Sequence, residues 1–152
     1  MDKKIFKLKK DKRYAPFPLV DGNEIFRNGI FRINITKIME HIECGVIKPI
    51  KSAEDKGTVG INVQKWYRSH SWHGLINEDH LPNVDITKPV IQVEFNPGMY
   101  KIIDGHHRMA LAYRKGVATV ESYKLNIKQW LPYFADVRGY ESFVDYWNSK
   151  VD

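Results

Sequence analysis

The sequence is poor in cysteine and has no long apolar run. Among its 152 residues there is one cysteine, Cys44, which excludes an intramolecular disulfide and a zinc cluster built on several cysteines. No apolar stretch approaches the ~18–20 residues of a membrane-spanning helix. The N-terminus, MDKKIFKLKKDKR, lacks the apolar core of a secretion signal. These absences predict a cytoplasmic protein in a reducing compartment, with no membrane partner.

The motifs of several common enzyme classes are also missing. There is no Walker-type phosphate loop, and no serine lies in a nucleophile-elbow sequence. No repeat or low-complexity linker divides the chain, and its length is typical of one domain. We therefore expect residues 14–152 to form a single domain, preceded by a flexible basic segment at residues 1–13.

Positive charge is concentrated in that N-terminal segment. It holds seven basic and two acidic side chains, so it carries +5 of the net charge of +6 of the whole chain. Two interpretations remain open: a segment that binds DNA phosphates by counterion release, and a solvated end that repels its neighbours. In the first interpretation the DNA contacts are Lys3, Lys4, Lys7, Lys9, Lys10, Lys12 and Arg13.

Hydrophobic patterning predicts a mixed α/β chain. Alternating residues predict a strand at 29–35, and Thr36 is expected to cap a helix that ends at Cys44. Residues 90–103 are typical of a hairpin around the turn Asn96-Pro97-Gly98. A helix is predicted at 106–115, and β-type residues follow from Val117 to Leu125. Residues 14–28 are interpreted as irregular, and residues 48–87 give no clear pattern.

Aromatic residues recur at helical spacing near the C-terminus. We interpret them as the packing face of one or two helices rather than as a base-stacking platform, because the common platforms are built on sheets. The residues concerned are Trp130, Tyr133, Phe134, Tyr140, Phe143, Tyr146 and Trp147.

The junction from Ile102 to Arg108 carries the most chemistry. A strand enters a tight turn and then a helix, whose first amides have no partner inside the helix and whose dipole is positive at that end. Gly105 leaves room for a ligand, and Arg108 offers a planar fork of donors. This pattern predicts a phosphate cradle made of Gly105, His106, His107 and Arg108.

Catalytic roles are predicted for three residues of the same junction. Asp104 is expected to hold Mg²⁺ or accept a proton, and a histidine of the pair His106-His107 is expected to assist. A purely structural interpretation competes with this one. In that interpretation Asp104 caps the helix or pairs with Arg108, and one of the histidines is a hydrogen-bonded core residue.

The string Asp104-Gly105-His106-His107-Arg108, set between a hairpin and an Ala-containing helix, resembles the ParB/sulfiredoxin superfamily. The resemblance covers roughly residues 89–125, and it implies a small α/β (α+β) domain in which helices pack on a mixed sheet. It also implies that the junction binds the phosphates of a nucleotide, ATP or ADP, with Mg²⁺. His106 stands where sulfiredoxins have their catalytic cysteine, which argues against reduction of sulfinic acid.

Three functions follow from the branches of that superfamily. The resemblance to ParB-like nucleases implies an ATP-dependent hydrolase or nuclease that acts near DNA. The free-serine kinases carry the same string and imply transfer of a phosphoryl group to a small molecule; they use an additional glutamate, for which Glu40, Glu43 and Glu54 are available. The third function is a non-catalytic regulatory or interaction protein of plasmid or phage type.

Other candidate sites are weaker. His70 and His73, with Asp79 and His80 nearby, have no fixed metal-ligand spacing, so no metal site is predicted there. Arg68 and His70 are more simply interpreted as an ordinary surface loop than as a loop that closes over a nucleotide. The aromatic residues of the same region, Trp66, Tyr67 and Trp72, are expected to pack in the core rather than against a base.

Overall fold

The computed structural model describes residues 6–51, 57–69 and 84–151. In these ranges the strands are β1 (Ile25–Asn28), β2 (Phe31–Asn34), β3 (Val59–Asn62), β4 (Val90–Asn96), β5 (Met99–Asp104) and β6 (Thr119–Leu125). The helices are α1 (Ile35–Glu43), α2 (Val63–Ser69), α3 (His106–Arg114), α4 (Ile127–Trp130) and α5 (Val137–Val151), and a 3-10 turn spans Leu131–Tyr133.

Two sheets are present in the described residues. Strands β1 and β2 form an antiparallel pair, and the other four form a mixed sheet in the order β3-β6-β4-β5. The predicted α/β (α+β) class is therefore confirmed. By their internal contacts the residues fall into two units, which divide within β4 and β5. The prediction of a single domain over residues 14–152 stays a prediction.

The first unit contains the residues up to Lys48, Val93–Lys101, and the chain from Leu125 onward. Its core is aromatic. The side chains of Trp130, Phe134, Phe143 and Trp147 are almost completely buried, and Phe95 packs among them with its ring 5.1 Å from that of Phe143. The interpretation of the C-terminal aromatic residues as helix packing is confirmed for Trp130, Phe143 and Trp147, whereas Phe134 is buried but lies after the 3-10 turn, in a β-bridge with Ile33.

The N-terminal segment of the first unit lies along α5. Asn148 bonds both backbone groups of Leu8, accepting from its N–H at 2.7 Å and donating to its carbonyl oxygen at 3.0 Å. Tyr140 accepts a hydrogen bond from the Asp11 N–H at 2.8 Å, and the ring of Tyr14 stacks on it at 3.9 Å. Where the sequence predicts a flexible segment, the structure thus has backbone contacts to α5 from residue 6 onward.

The second unit contains Pro49–Gln92 and Ile102–Lys124. Strand β3 pairs antiparallel with β6, from Val59 opposite Ser122 to Asn62 opposite Thr119. The core of this unit brings α2 and α3 together with the parts of β4, β5 and β6 that belong to the unit, and it is made of Val63, Trp66, Val90, Ile102, Met109, Ala110, Leu111, Ala112 and Val120. Helix α3 is therefore held by several buried apolar residues along its length.

The predicted hairpin is observed, whereas the cap of α1 and the first strand differ from the predictions. The hairpin β4–β5 turns at Pro97-Gly98 as predicted, with Gly98 at φ +75°. Helix α1 is capped by Asn34, whose side chain accepts from the Lys37 N–H, and not by Thr36 as predicted. Strand β1 lies in the stretch that the sequence suggests is irregular, because its residues pair with β2 from Ile25 opposite Asn34 onward.

Candidate functional site

The predicted junction lies at the end of β5 in the second unit. Strand β5 ends at Asp104, Gly105 follows, and α3 begins at His106. Gly105 has φ +107°, a conformation that side chains disfavour. A Cβ built at this position would lie 2.3 Å from Cγ1 of Val90. Glycine is therefore required here for two separate reasons, the backbone conformation and the contact with Val90.

Arg108 joins three groups around the junction. Its Nη2 donates to Oδ2 of Asp104 at 2.9 Å, and its Nη1 donates to the carbonyl oxygens of Lys88, at 3.3 Å, and of Pro89. The side chains of Arg108 and Asp104 are only 18% and 16% exposed. The guanidinium therefore links residues 88–89, just before β4, to the start of α3. Fewer of its N–H donors remain for a ligand than the sequence predicts.

Asp104 does not cap the helix. The residue at the cap position is Gly105, which makes no side-chain cap hydrogen bond. Within the described chain the Asp104 carboxylate is bonded by Arg108 through Oδ2. Of the two structural alternatives for this residue, pairing with Arg108 is the one that the structure has.

The two histidines lie in the first turn of α3. His106 and His107 are both partly exposed, and each takes part in contacts of its own. The first intrahelical hydrogen bond of α3 runs from the Met109 N–H to the Gly105 carbonyl oxygen at 3.0 Å. The amides of residues 106–108 precede it, so the backbone offers the donor set that anions bind at helix starts.

The segment just before β4 adds residues that sequence reasoning missed. Two hydrogen bonds from Thr87 lower the pKa of Asp85, and the positive charges of Lys88 and Arg108 lower it further. A second carboxylate thus lies within the electrostatic reach of Arg108. The sequence gives little indication of these roles. Lys88 and Pro89 contribute only backbone carbonyl groups, and Asp85 forms a local Asx-type turn with Thr87.

The donor set fits a phosphate better than a bare metal ion. The positive charge of Arg108 balances the negative charge of Asp104. The Asp104 carboxylate therefore does not cancel the positive end of the α3 dipole. The described ranges contain no group of three histidine, cysteine or acidic side chains that would hold a metal. A Mg²⁺ ion at this junction would therefore take most of its ligands from phosphate oxygens and water, with Asp104 as the candidate protein ligand.

The remaining candidates divide between the two units and the undescribed stretches. Trp66 is buried in the core, and Tyr67 stacks on Tyr113 at 3.7 Å, so packing is confirmed for these two residues. Glu40 and Glu43 lie exposed on α1 in the first unit. The other candidates lie outside the described residues: Lys3, Lys4, Glu54, His70, Trp72, His73, Asp79 and His80.

The described basic residues of the N-terminal segment lie on the surface. Lys7, Lys9, Lys10, Lys12 and Arg13 are exposed, and Lys10 pairs with Asp145 at 3.0 Å. No helix in the described ranges is long and apolar enough to span a membrane.

Comparison of the chain with protein-family models, with curated proteins and with solved structures finds no match.

Proposed function

We propose that the protein binds the phosphates of a nucleotide, ATP or ADP, at the junction of β5 and α3. The observation that carries the proposal is the start of α3, where the Met109 N–H donates the first intrahelical hydrogen bond and the amides of residues 106–108 precede it. Gly105, directly before these amides, has no side chain to stand in front of them. Phosphate binding at such helix starts combines hydrogen bonds from these amides with the helix dipole.

In this proposal the named residues have different roles. The amides from His106 to Arg108 and the two imidazoles bind phosphate oxygens. Arg108 also acts as a positioning residue, since it links Asp104 to the backbone before β4. Asp104 is the catalytic candidate: it accepts a proton or holds Mg²⁺ on the phosphates, and His106 or His107 assists proton transfer. Bound Mg²⁺ would supply neutralisation of the phosphate charge.

The reaction class that we propose is hydrolysis, as in an ATP-dependent hydrolase or nuclease of ParB-like type that acts near DNA. The exposed basic side chains of residues 7–13 support a DNA partner, because each such charge on a phosphate releases a counterion. Their attachment to α5 supports a defined surface rather than a free tail.

A second candidate is a non-catalytic nucleotide-binding protein. It is favoured by the ion pair between Asp104 and Arg108, because a carboxylate that already accepts from a guanidinium has fewer lone pairs left for a proton or a metal ion. The two candidates differ in turnover and not in binding.

The experiment is calorimetric titration of ATP and ADP, with and without Mg²⁺, into the full chain. We expect binding by the unaltered protein and a loss of at least about tenfold in affinity for Arg108→Ala, which corresponds to ~1.4 kcal/mol. The matched control is Arg32→Ala, which breaks a similar pair with Asp136 in the first unit and should keep the affinity. Absence of binding by the unaltered protein would contradict the proposal.

Turnover then separates the candidates. Release of phosphate that is stimulated by DNA supports the hydrolase or nuclease. Release that requires a hydroxyl-bearing small molecule would indicate a kinase instead, and binding without turnover would indicate the regulatory protein.

A further inference from the structure

The N-terminal segment holds its cations in a fixed position on α5, within the first unit. Trp147 donates a hydrogen bond from Nε1 to the Phe6 carbonyl oxygen at 2.9 Å, and Asn148 bonds both backbone groups of Leu8. The backbone of residues 6–14 is therefore ordered in the protein itself. Because a partner does not have to order it, less binding energy is lost when its side chains make contacts.

The cations of this segment outnumber the carboxylates beside them. Lys10 pairs with Asp145 of α5 at 3.0 Å, and both side chains of this pair are exposed. The Asp11 carboxylate accepts a hydrogen bond from the Arg13 N–H at 2.8 Å, so it is turned toward its own backbone. The exposed basic side chains are Lys7, Lys9, Lys10, Lys12 and Arg13.

A lysine of α4 lies beside the segment. The Nζ of Lys128 is 4.8 Å from the centroid of the Phe6 ring, and the side chain is exposed. An aromatic face attracts a cation and leaves its charge in place. Sequence reasoning misses this residue, because only the fold brings α4 to the start of the chain.

Lys150 of α5 provides a matched comparison. Its Nζ lies 5.3 Å from the Tyr146 ring, and its side chain is exposed as well. At 3.6 residues per turn, Lys150 lies about 160° around the helix from Asn148, which bonds the segment. Lys128 and Lys150 thus share exposure and an aromatic neighbour, but only Lys128 adjoins the segment.

We propose that the cations of residues 7–13 and Lys128 form one surface that binds the phosphate backbone of duplex DNA. The inference rests on the proposed function, in which DNA is a partner. On this surface Asp145 competes with DNA for Lys10: the Lys10–Asp145 pair opens, and Lys10 binds a phosphate oxygen instead. Each contact between a cation and a phosphate releases a counterion.

The dimensions of the surface agree with a duplex. The segment contacts α5 from Tyr140 to Asn148, which is about 12 Å of helix at ~1.5 Å per residue. Duplex DNA carries one negative charge per ~1.7 Å of its axis, so this length spans about seven phosphates. The surface offers a comparable number of cations, five in the segment and Lys128 beside them.

The apolar residues of the segment favour DNA over a lipid surface. Phe6 and Leu8 are both partly buried, and the Phe6 ring lies 6.3 Å from that of Trp147. Strong attachment to a membrane surface combines positive charge with apolar side chains that enter the lipid. Here the cations face solvent while these apolar side chains face the protein.

The first test compares two single variants of the full chain by fluorescence anisotropy with duplex DNA at a series of salt concentrations. Lys128→Gln should reduce the slope of log affinity against log salt by roughly 0.9, the value for one phosphate contact, and Lys150→Gln should leave the slope unchanged. Equal slopes for the two variants would overturn the inference.

A second pair of variants tests the competition at Lys10. Asp145→Asn and Glu141→Gln each remove one exposed negative charge from α5, but the ion pair with Lys10 is formed by Asp145. Asp145→Asn should raise the affinity for DNA more than Glu141→Gln does, by up to about fivefold, as expected for an exposed pair. Equal affinities of these two variants would contradict the competition.

The same measurements separate failure of this inference from failure of the proposed function. If the unaltered protein does not bind duplex DNA, the DNA partner and the inference both fail. If the slope depends on Lys9, Lys12 and Arg13 but not on Lys128, the DNA partner stands and the inference alone is overturned. Binding to phosphatidylserine vesicles without binding to DNA would overturn it in favour of a lipid surface.

Discussion

Gly105 and Val90 are in such close contact that no side chain fits between them: a Cβ at residue 105 would lie 2.3 Å from Val90 Cγ1. This contact joins the start of α3 to the first residue of β4. At this junction the backbone of Gly105, and no side chain, faces β4. The glycine is thus explained by the fold itself, whatever binds beside it.

The first prediction concerns this contact. Gly105→Ala should lower the free energy of unfolding by about 2–4 kcal/mol, because the left-handed backbone and the overlap with Val90 both oppose a methyl group. Gly116, at the other end of α3, is the matched control: it has φ +71° and no neighbour within 4 Å of a built Cβ. Gly116→Ala should cost about 1 kcal/mol. Equal losses in urea denaturation would contradict this explanation.

The second prediction concerns the pair Asp104–Arg108. Arg108→Ala should reduce the free energy of unfolding by about 2–4 kcal/mol, since it leaves a poorly exposed carboxylate and two carbonyl oxygens without their donor. Arg108→Lys should recover only part of that loss, because an ammonium cannot bond the Asp104 carboxylate and the carbonyl oxygens before β4 at the same time, as a guanidinium does. Denaturation of both variants checks the order, and a fully stable Arg108→Ala protein would show that the three bonds contribute little.

The third prediction is a pH dependence that arises at Asp136. Burial tends to raise the pKa of this carboxyl, but hydrogen bonds from the Arg32 side chain and the Gly139 N–H outweigh burial and lower it. A lowered pKa in the folded state means that the stabilisation is complete above the unfolded pKa, about 3.9, and is lost as the pH falls through the folded pKa. Asp136→Asn should therefore be less stable than the parent protein near neutral pH.

The difference between the two proteins should narrow only below about pH 4. Urea denaturation at a series of pH values measures it, and Asp145→Asn is the control, because Asp145 forms an exposed pair with Lys10. A difference that stays constant down to the lowest pH would show that the Asp136 carboxylate is not the titrating group.

The fourth prediction concerns DNA. Residues 6–14 contact α5, so deletion of the segment would disturb the fold as well as its charge. Charge substitution avoids that difficulty. Changing Lys9, Lys12 and Arg13 to Gln should reduce the slope of log affinity against log salt by up to about 3, at roughly 0.9 for each DNA phosphate that the protein no longer neutralises.

A second triple variant controls for the overall charge. Lys48, Lys65 and Lys115 are exposed lysines elsewhere in the sequence, and changing them to Gln removes the same formal charge. Fluorescence anisotropy with duplex DNA measures both slopes. If the slope of log affinity against log salt is reduced equally in the two triple variants, the N-terminal segment is not the DNA-binding surface.

The sequence predicts the hairpin β4–β5 and helix α3 well because their ends are marked by strong local chemistry. Gly98 supplies the positive φ of the turn, and Gly116 follows the last turn of α3. Strand β1 carries no comparable signal, and the cap of α2 by Asn62, whose side chain accepts from the Lys65 N–H at 2.9 Å, is not followed by a clear helical pattern in the sequence. Their formation depends on pairing with β2 and on burial of Val63 and Trp66, which are tertiary effects.

The candidate site shows the same division. The strand, the glycine and the helix start could be predicted from the sequence. The partners of Arg108 could not, because the carbonyl groups of Lys88 and Pro89 are present in any sequence and only the fold brings them to the guanidinium. The contact of Gly105 with Val90 is hidden from sequence reasoning for the same reason.

The most direct test of the proposed nucleotide site is a ¹H–¹⁵N correlation NMR titration of the full chain with ADP and Mg²⁺. The largest shifts are expected at the backbone amides from Gly105 to Met109, with little change at the amides of α5. A titration in which these amides do not move, or in which the main changes lie elsewhere in the chain, would contradict it.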